Sequence, residues 1–316
     1  ALVTERKTLQ GMIATTTRRM KSSQVPFRVV ERAEPARYPH KSNRKLIFMA
    51  IAFIGIAGGG LLVAVLELID FTIKSEGSLR AALPATVLGV LPREKSDDEL
   101  LPGPHQSPAQ RDGYRRLALA VRRELPKSGV CIVVVGSSHG VGTSTVTLNL
   151  ATMLHRRSER VLIVDAHTQP ADGESQSVSV EDYIEAEPAA LRGLDYYLGA
   201  PVDADSPPYA LDTIGACGVP RTREAIEPEA LSSERMGARL KQAREQFSVV
   251  LIDAPPLSPS IDAEYVVEHA DAVLFVVRGG KTNILEEKRC FKRLQKSGIA
   301  IAGTVLTDVH KLYLKT

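Results

Sequence analysis

An α/β fold, with an open parallel sheet flanked by helices and preceded by one transmembrane helix, is what three features of these 316 residues predict. The first is a series of nearly continuous apolar runs at 130–135, 160–165, 248–253, 272–277 and 299–306, alternating with helical patterns at 143–156, 231–246, 262–269 and 283–296. Strands buried on both faces read in this unbroken way, and strands alternating with helices build a parallel sheet with right-handed crossovers. The second is a glycine-rich turn, Gly136-Ser137-Ser138-His139-Gly140-Val141-Gly142-Thr143-Ser144-Thr145, set between the first of those strands and a helix. The third is a stretch of 21 residues, 46–66, that carries no charge.

Composition narrows the function classes. A net charge of +3 is mild, tryptophan is absent, and the few aromatics form no stacking series, so nucleic acid is not an expected partner. Cys131, Cys217 and Cys290 are odd in number and far apart, which suits reduced, buried thiols and neither a disulfide framework nor a zinc site. The chain begins in mid-pattern and stops abruptly, so it reads as a piece of a longer protein.

Taken in order, residues 1–24 place Leu2, Leu9, Met12, Ile13 and Met20 among charges, as the end of a helix or a disordered terminus would. Pro26, Pro35 and Pro39 then make 25–45 an extended connector. A helix over 46–66 rises about 30 Å, the thickness of a bilayer's hydrocarbon core. The pair Gly55 and Gly59 would allow close contact with another helix there. Arg28, Arg32, Arg37, Lys41, Arg44 and Lys45 precede this span and would by charge alone place the N-terminal side inside the cell. A nucleotide-type domain with reduced cysteines beyond the span argues for the opposite orientation, with the C-terminal domain cytoplasmic, and is given more weight. Residues 70–110, rich in proline and holding Asp97-Asp98-Glu99, read as a juxtamembrane linker with a short apolar piece at 86–91. Residues 111–125 form a basic amphipathic helix with Tyr114, Leu117, Leu119, Val121 and Leu125, packed on the domain that follows or lying against lipid headgroups. The domain proper is expected over 111–316, with 168–230 its irregular part, rich in proline, glycine and acids and holding one short helix around Leu191 to Leu198.

Three segments fall where a P-loop nucleotide site needs them. The glycine-rich turn converges backbone N–H groups on an anion at a helix N-terminus, with Gly140, Val141, Gly142, Thr143, Ser144 and Thr145 as the candidate phosphate-binding residues. Val161 to Asp165 and Val249 to Asp253 are strands that end in carboxylates. Asp165 and Asp253, the candidate catalytic residues, could hold Mg²⁺ or its waters beside the phosphates together with the hydroxyl of Ser144. One residue departs from the pattern. A P-loop carries lysine where Thr143 sits, directly after the last glycine.

These segments resemble the bacterial tyrosine kinases (BY-kinases) joined to polysaccharide co-polymerases. The resemblance rests on Ser144-Thr145 with Asn149-Leu150-Ala151, on Ile252-Asp253-Ala254-Pro255-Pro256 with Asp262-Ala263, on Ala270 to Arg278, on Gly193-Leu194 through Leu198-Gly199, and on Leu231 to Met236. Upstream, Ala33-Glu34-Pro35 with Pro39, and Leu88-Gly89-Val90-Leu91-Pro92, are similar to segments flanking that family's second membrane helix. The resemblance covers roughly 25–310. It implies a P-loop NTPase-like fold, ATP and Mg²⁺ as cofactors, a bacterial inner-membrane location, a ring-like homo-oligomer, and the polysaccharide polymerase and export machinery as partners. It also makes 1–45 the end of an extracytoplasmic co-polymerase domain and 46–69 the membrane helix.

The departures cluster on the nucleotide site. The family has lysine at Thr143, a second aspartate at His167, usually arginine at Gln169, and an acidic or small residue at Val141. Ala118 breaks a Glu/Arg/Arg oligomerisation pattern that Asp112 and Arg115 fit loosely, and only Tyr313 lies where the family's tyrosine cluster would begin. His167 is open to two readings, a repurposed ligand or base and a drifted residue. Arg156, Arg157 and Arg160 lie at the far end of the loop helix and are discounted as substitute cations. The leading expectation is a membrane-anchored co-polymerase with a weak or inactive kinase-like domain. An active autokinase using a substitute cation, and a partner-activated ATPase of the cell-division type, are the alternatives.

Overall fold

The computed structural model describes residues 2–22, 43–69, 71–94, 100–103, 105–170, 178–185, 191–199 and 208–314. Residues 25–42 of the proline-rich connector, with Ala33 to Pro35 and Pro39, and the acidic cluster 97–99 lie outside them. The chain divides into two compact units, Ala1–Glu67 and Leu68–Thr316.

The first unit holds α1 (Leu2–Ser22) and nearly all of α2 (Arg44–Ile69). Within α2, residues 44–65 have a mean hydropathy of 2.5 and none of the window is buried, so this helix is long and apolar enough to cross a membrane.

The second unit is built on eight strands in the order β1-β8-β7-β2-β6-β3-β5-β4: β1 (Val87–Pro92), β2 (Val130–Gly136), β3 (Val161–Asp165), β4 (Tyr209–Leu211), β5 (Ala216–Val219), β6 (Val249–Asp253), β7 (Ala272–Arg278) and β8 (Ile301–Val309). Every pairing is parallel except β4 with β5. The α-helices given by the described residues of this unit include α3 (Glu76–Ala82), α4 (Pro108–Glu124), α5 (Thr143–His155), α6 (Leu194–Gly199), α7 (Glu234–Gln246), α8 (Asp262–Val267) and α9 (Ile284–Lys296). The expected parallel sheet flanked by helices is therefore present.

Period-two alternation sorts the sheet's side chains into two cores. Ile132, Val134, Ile163 and Leu251 face Leu117 and Val121 of α4 and Leu150 and Leu154 of α5. Val133, Val135, Leu162 and Ile252 face Leu240 of α7, Val266 of α8 and Phe291 of α9. Ser107 caps α4 through Gln110 N–H, with Pro108 in the first turn. Tyr114, Leu117, Ala118 and Val121 are buried, so α4 packs on the sheet as expected, although Leu119 is 41% exposed. Ala118, read as a break in a surface pattern, is a core residue, and a charge there would be buried.

Two expectations need correction. Residues 70–110 are not simply a linker, because α3 and β1 belong to the sheet unit. β1 pairs with β8, and Gly303 permits it, since a Cβ there would lie 2.5 Å from Leu88 Cγ and 2.6 Å from the Thr86 carbonyl oxygen. Within 168–230 the expected short helix is present as α6, but the β4–β5 hairpin stands where the sequence reads as irregular. Gly215, at φ +73°, turns that hairpin where a Cβ would stand 2.2 Å from the His155 ring.

Candidate nucleotide and cation site

The cradle grows from β2, which is buried along its whole length and delivers Gly136 to the carboxyl end of the sheet. A side chain at 136 is excluded, because its Cβ would fall 2.2 Å from Val141 Cγ2. Val141 consequently folds inward and is 1% exposed, so its side chain packs beneath the loop and only its backbone can reach a ligand. Gly140 and Gly142 both adopt left-handed conformations, φ +72° and +98°, which turn the chain into α5. No side chain caps α5, and its first-turn N–H groups are left for an anion.

The carbonyl side of the loop is pinned from elsewhere. Arg278 donates to the Gly140 carbonyl at 2.7 Å and pairs with Asp308 at 2.9 Å, while Thr307 Oγ1 donates to the Val141 carbonyl at 2.8 Å. Ser137 donates to Glu287 at 2.6 Å. A cavity of about 260 Å³ opens over the loop, and Leu91, Leu100, Leu101 and Tyr114 form its apolar wall. Asn149 holds that wall in place. Its Nδ2 donates to the Leu100 carbonyl at 2.9 Å, and its Oδ1 accepts from Gln106.

Asp165 and Asp253 stand in register at the carboxyl ends of β3 and β6, 0% and 2% exposed. Burial alone would raise the Asp165 carboxyl, but His167, at 2.7 Å from its Oδ1, and then Arg221, at 3.4 Å from its Oδ2, outweigh it and hold the group low. At Asp253 burial wins and the pKa is pushed up to about 6, despite His167 and a hydrogen bond with Ser144. His167 is raised, because its two carboxylate neighbours overcome the opposing effect of its own burial. Among the described residues, Asp165 Oδ2 and Asp253 Oδ1 are buried without a hydrogen-bond partner, which suits a site that receives a cation.

The candidate residues thus converge, but Thr143 brings no charge. Arg156, Arg157 and Arg160 are exposed beyond the carboxyl-terminal end of α5, and His139 and Gln169 are exposed as well. Arg221, 8% exposed, belongs to the site without lying in any motif, in the region that reads as irregular. Arg278 and Lys281, whose Nζ lies 3.6 Å from where a Gly140 Cβ would be, join it in the same way. A basic residue just past a strand end, as Arg221 follows β5 and Lys281 follows β7, was the available signal.

No protein-family model matches the chain. Among curated proteins it is 23% identical over 298 residues to the tyrosine-protein kinase ptk of Acinetobacter johnsonii, covering 90% of this chain and 39% of that protein. It is 24% identical over 286 residues to the succinoglycan biosynthesis transport protein ExoP of Rhizobium meliloti, covering 81% of this chain and 36% of that one. Against the tyrosine-protein kinase wzc of Salmonella typhimurium the figures are 26% over 194 residues, 57% and 24%. The chain therefore spans between about a quarter and two-fifths of these relatives' lengths. Among solved structures, the kinase domain of the Escherichia coli tyrosine kinase ETK superposes with a TM-score of 0.61 at 20% identity, covering 72% of this chain and 92% of that one. The BceF tyrosine kinase domain gives 0.62 at 22%, covering 75% and 99%. The sheet and its helices thus share the fold of these tyrosine kinase domains.

Proposed function

We propose that this chain, a homologue of the bacterial tyrosine-protein kinases, is a membrane-anchored polysaccharide co-polymerase that regulates exopolysaccharide biosynthesis and export, with a kinase-like domain that is weak or inactive. In this reading α2 is the single span of the bacterial inner membrane, residues 1–45 end an extracytoplasmic domain, and the P-loop unit is cytoplasmic. Its partners are further copies of itself in a ring-like homo-oligomer and the polysaccharide polymerase and export machinery.

The observation that carries the weak-kinase reading is Thr143 at the position that needs a cation. The rest of the site fits Mg²⁺ and the phosphates of ATP. Gly140 to Thr145 offer backbone donors, Ser144 a hydroxyl, and Asp165 and Asp253 the buried oxygens that lack partners. Mg·ATP, when bound, would supply the transferable phosphoryl group. Thr143 can orient no charge between β- and γ-phosphates. One lost charge-assisted hydrogen bond costs about 1.5–3 kcal/mol, roughly 10- to 150-fold in affinity. The loss in transfer rate is larger, because charge grows on those oxygens as the reaction proceeds.

A second reading, an active ATP-dependent tyrosine autokinase, is favoured by Lys281, which brings an ammonium to the loop from the end of β7. Two measurements on the full chain in detergent separate them, calorimetric ATP binding and phosphotyrosine formation. Weak ATP binding that Thr143→Lys strengthens at least about tenfold, without phosphotyrosine, supports the first reading. Autophosphorylation that Asp253→Ala abolishes supports the second and overturns the first.

A further inference from the structure

We propose that Asp165, His167 and Asp253 form a mixed nitrogen–oxygen cation site that takes a first-row transition-metal ion of the Zn²⁺ class in preference to Mg²⁺. One ring nitrogen of His167 and one oxygen from each carboxylate lie within 4.8 Å of one another. The ligands of a tetrahedral ion with bonds of about 2.0–2.2 Å stand about 3.4 Å from one another, so the cluster closes on it by at most about 1.4 Å.

The unpartnered oxygens point to a ligand independently of that spacing. Asp165 Oδ2 and Asp253 Oδ1 are buried with no hydrogen-bond partner, on residues 0% and 2% exposed. Arg221 Nε approaches the first of them at 3.4 Å as a charge neighbour without hydrogen-bond geometry. Arg221 offsets one of the two negative charges, and a divalent ion offsets the other with charge to spare.

The donor set selects the ion. Mg²⁺ demands an octahedron of oxygens and gives up its waters reluctantly. An imidazole beside carboxylates suits Zn²⁺ and its neighbours in the series, which bind such sets more tightly. His167 follows Asp165 by two residues, and its Nδ1 lies 2.7 Å from Asp165 Oδ1, so the ring and the carboxylate already share one pocket. The inference rests on reading Asp165 and Asp253 as a cation-holding pair, and it does not require that nucleotide bind.

The test is a Co²⁺ titration of the untagged full chain in detergent, without nucleotide, followed by visible absorption. One Co²⁺ per chain is expected, displaced by equimolar Zn²⁺ and retained against about a hundredfold excess of Mg²⁺. His167→Ala should weaken Co²⁺ at least about tenfold, since even residues behind metal ligands are worth that much. His167→Asp should keep an ion while letting Mg²⁺ compete. Asp253→Asn should match the loss in His167→Ala, and thermal melting reports whether each variant is folded. Co²⁺ affinity unchanged in a folded His167→Ala or Asp253→Asn chain, or displacement by equimolar Mg²⁺, overturns the proposal. ATP binding on the same samples reports separately on the proposed function: a Co²⁺ site without ATP binding upholds this inference alone, and ATP binding without a Co²⁺ site overturns it alone.

Discussion

Asp165 and Asp253 face each other across two neighbouring strands, and the protein treats the two buried carboxyls oppositely, holding the first low and pushing the second up to about 6. The asymmetry comes from burial common to both and cations shared unequally. His167 and Arg221 contact Asp165 directly, while Asp253 has only a hydroxyl partner in Ser144. A pair of carboxylates divided in this way holds one negative charge throughout and gains the second as pH rises through about 6.

Arg221 should therefore matter to folding as well as to any ligand. Removing one member of a buried ion pair costs about 3–5 kcal/mol, and because His167 remains, Arg221→Met is expected at the lower end, about 3 kcal/mol. In a double-mutant cycle with Asp165→Asn, much of that loss should vanish, because the charge left unpaired is then gone. Thermal or denaturant unfolding of the four chains measures it. Additive losses would show that Arg221 acts through packing alone.

Glu287 predicts a pH dependence. It is fully buried beneath the loop, accepts from Ser137, and its pKa is pushed from 4.5 to about 7, chiefly by burial. A raised folded-state pKa means that the folded protein holds a proton the unfolded chain has released. The favourable contribution is complete below pH 4.5 and is lost as pH rises to about 7, a loss approaching 3 kcal/mol. Glu287→Gln keeps an acceptor for Ser137 and removes the titration. Its stability should exceed that of the wild type at pH 8 by about that amount and nearly match it at pH 4. Equal pH profiles for the two chains would refute this.

What could be read in advance follows from burial and contiguity. β2, β3, β6 and β7 are apolar on both faces and showed as unbroken runs. β1 showed only as the short apolar piece at 86–91 and the β4–β5 hairpin not at all, because these strands are short and β1 and β5 carry glycine or proline, which also serve as loop signals. The cradle and the two aspartates were legible because each sits inside one short motif. Arg221, Lys281 and Glu287 were not, since only the strand order brings the ends of β5 and β7, and a turn of α9, to the loop.

The status of β1 as part of the sheet can be tested at Gly303. A Cβ there meets Leu88 Cγ at 2.5 Å and the Thr86 carbonyl oxygen at 2.6 Å, and the backbone oxygen cannot rotate away. Gly303→Ala should push β1 off β8 and cost about 1–3 kcal/mol, the usual range for overpacking. Hydrogen exchange should then quicken across Val87–Pro92 while β2 and β6 stay protected. Exchange across Val87–Pro92 that is already as fast in the wild type as in Gly303→Ala would return this segment to the role of a linker.

Lys281 and Thr143 supply the last prediction, because they compete for one role. The Lys281 ammonium reaches the loop from an exposed position, where a single charge contributes up to about 1 kcal/mol, roughly fivefold in affinity, and is screened by salt. A lysine at 143 would act from within the cradle, at close range and with fixed geometry. Lys281→Ala should consequently lower ATP affinity about fivefold at low salt and have little effect at 1 M salt. Thr143→Lys should raise affinity at both, and should make the loss of Lys281 nearly silent. Arg278 is not expected to substitute, since its guanidinium is committed to the Gly140 carbonyl and Asp308. If Lys281→Ala instead abolishes ATP binding at every salt concentration, Lys281 lies against the phosphates themselves, and the domain has rebuilt its cation from another strand.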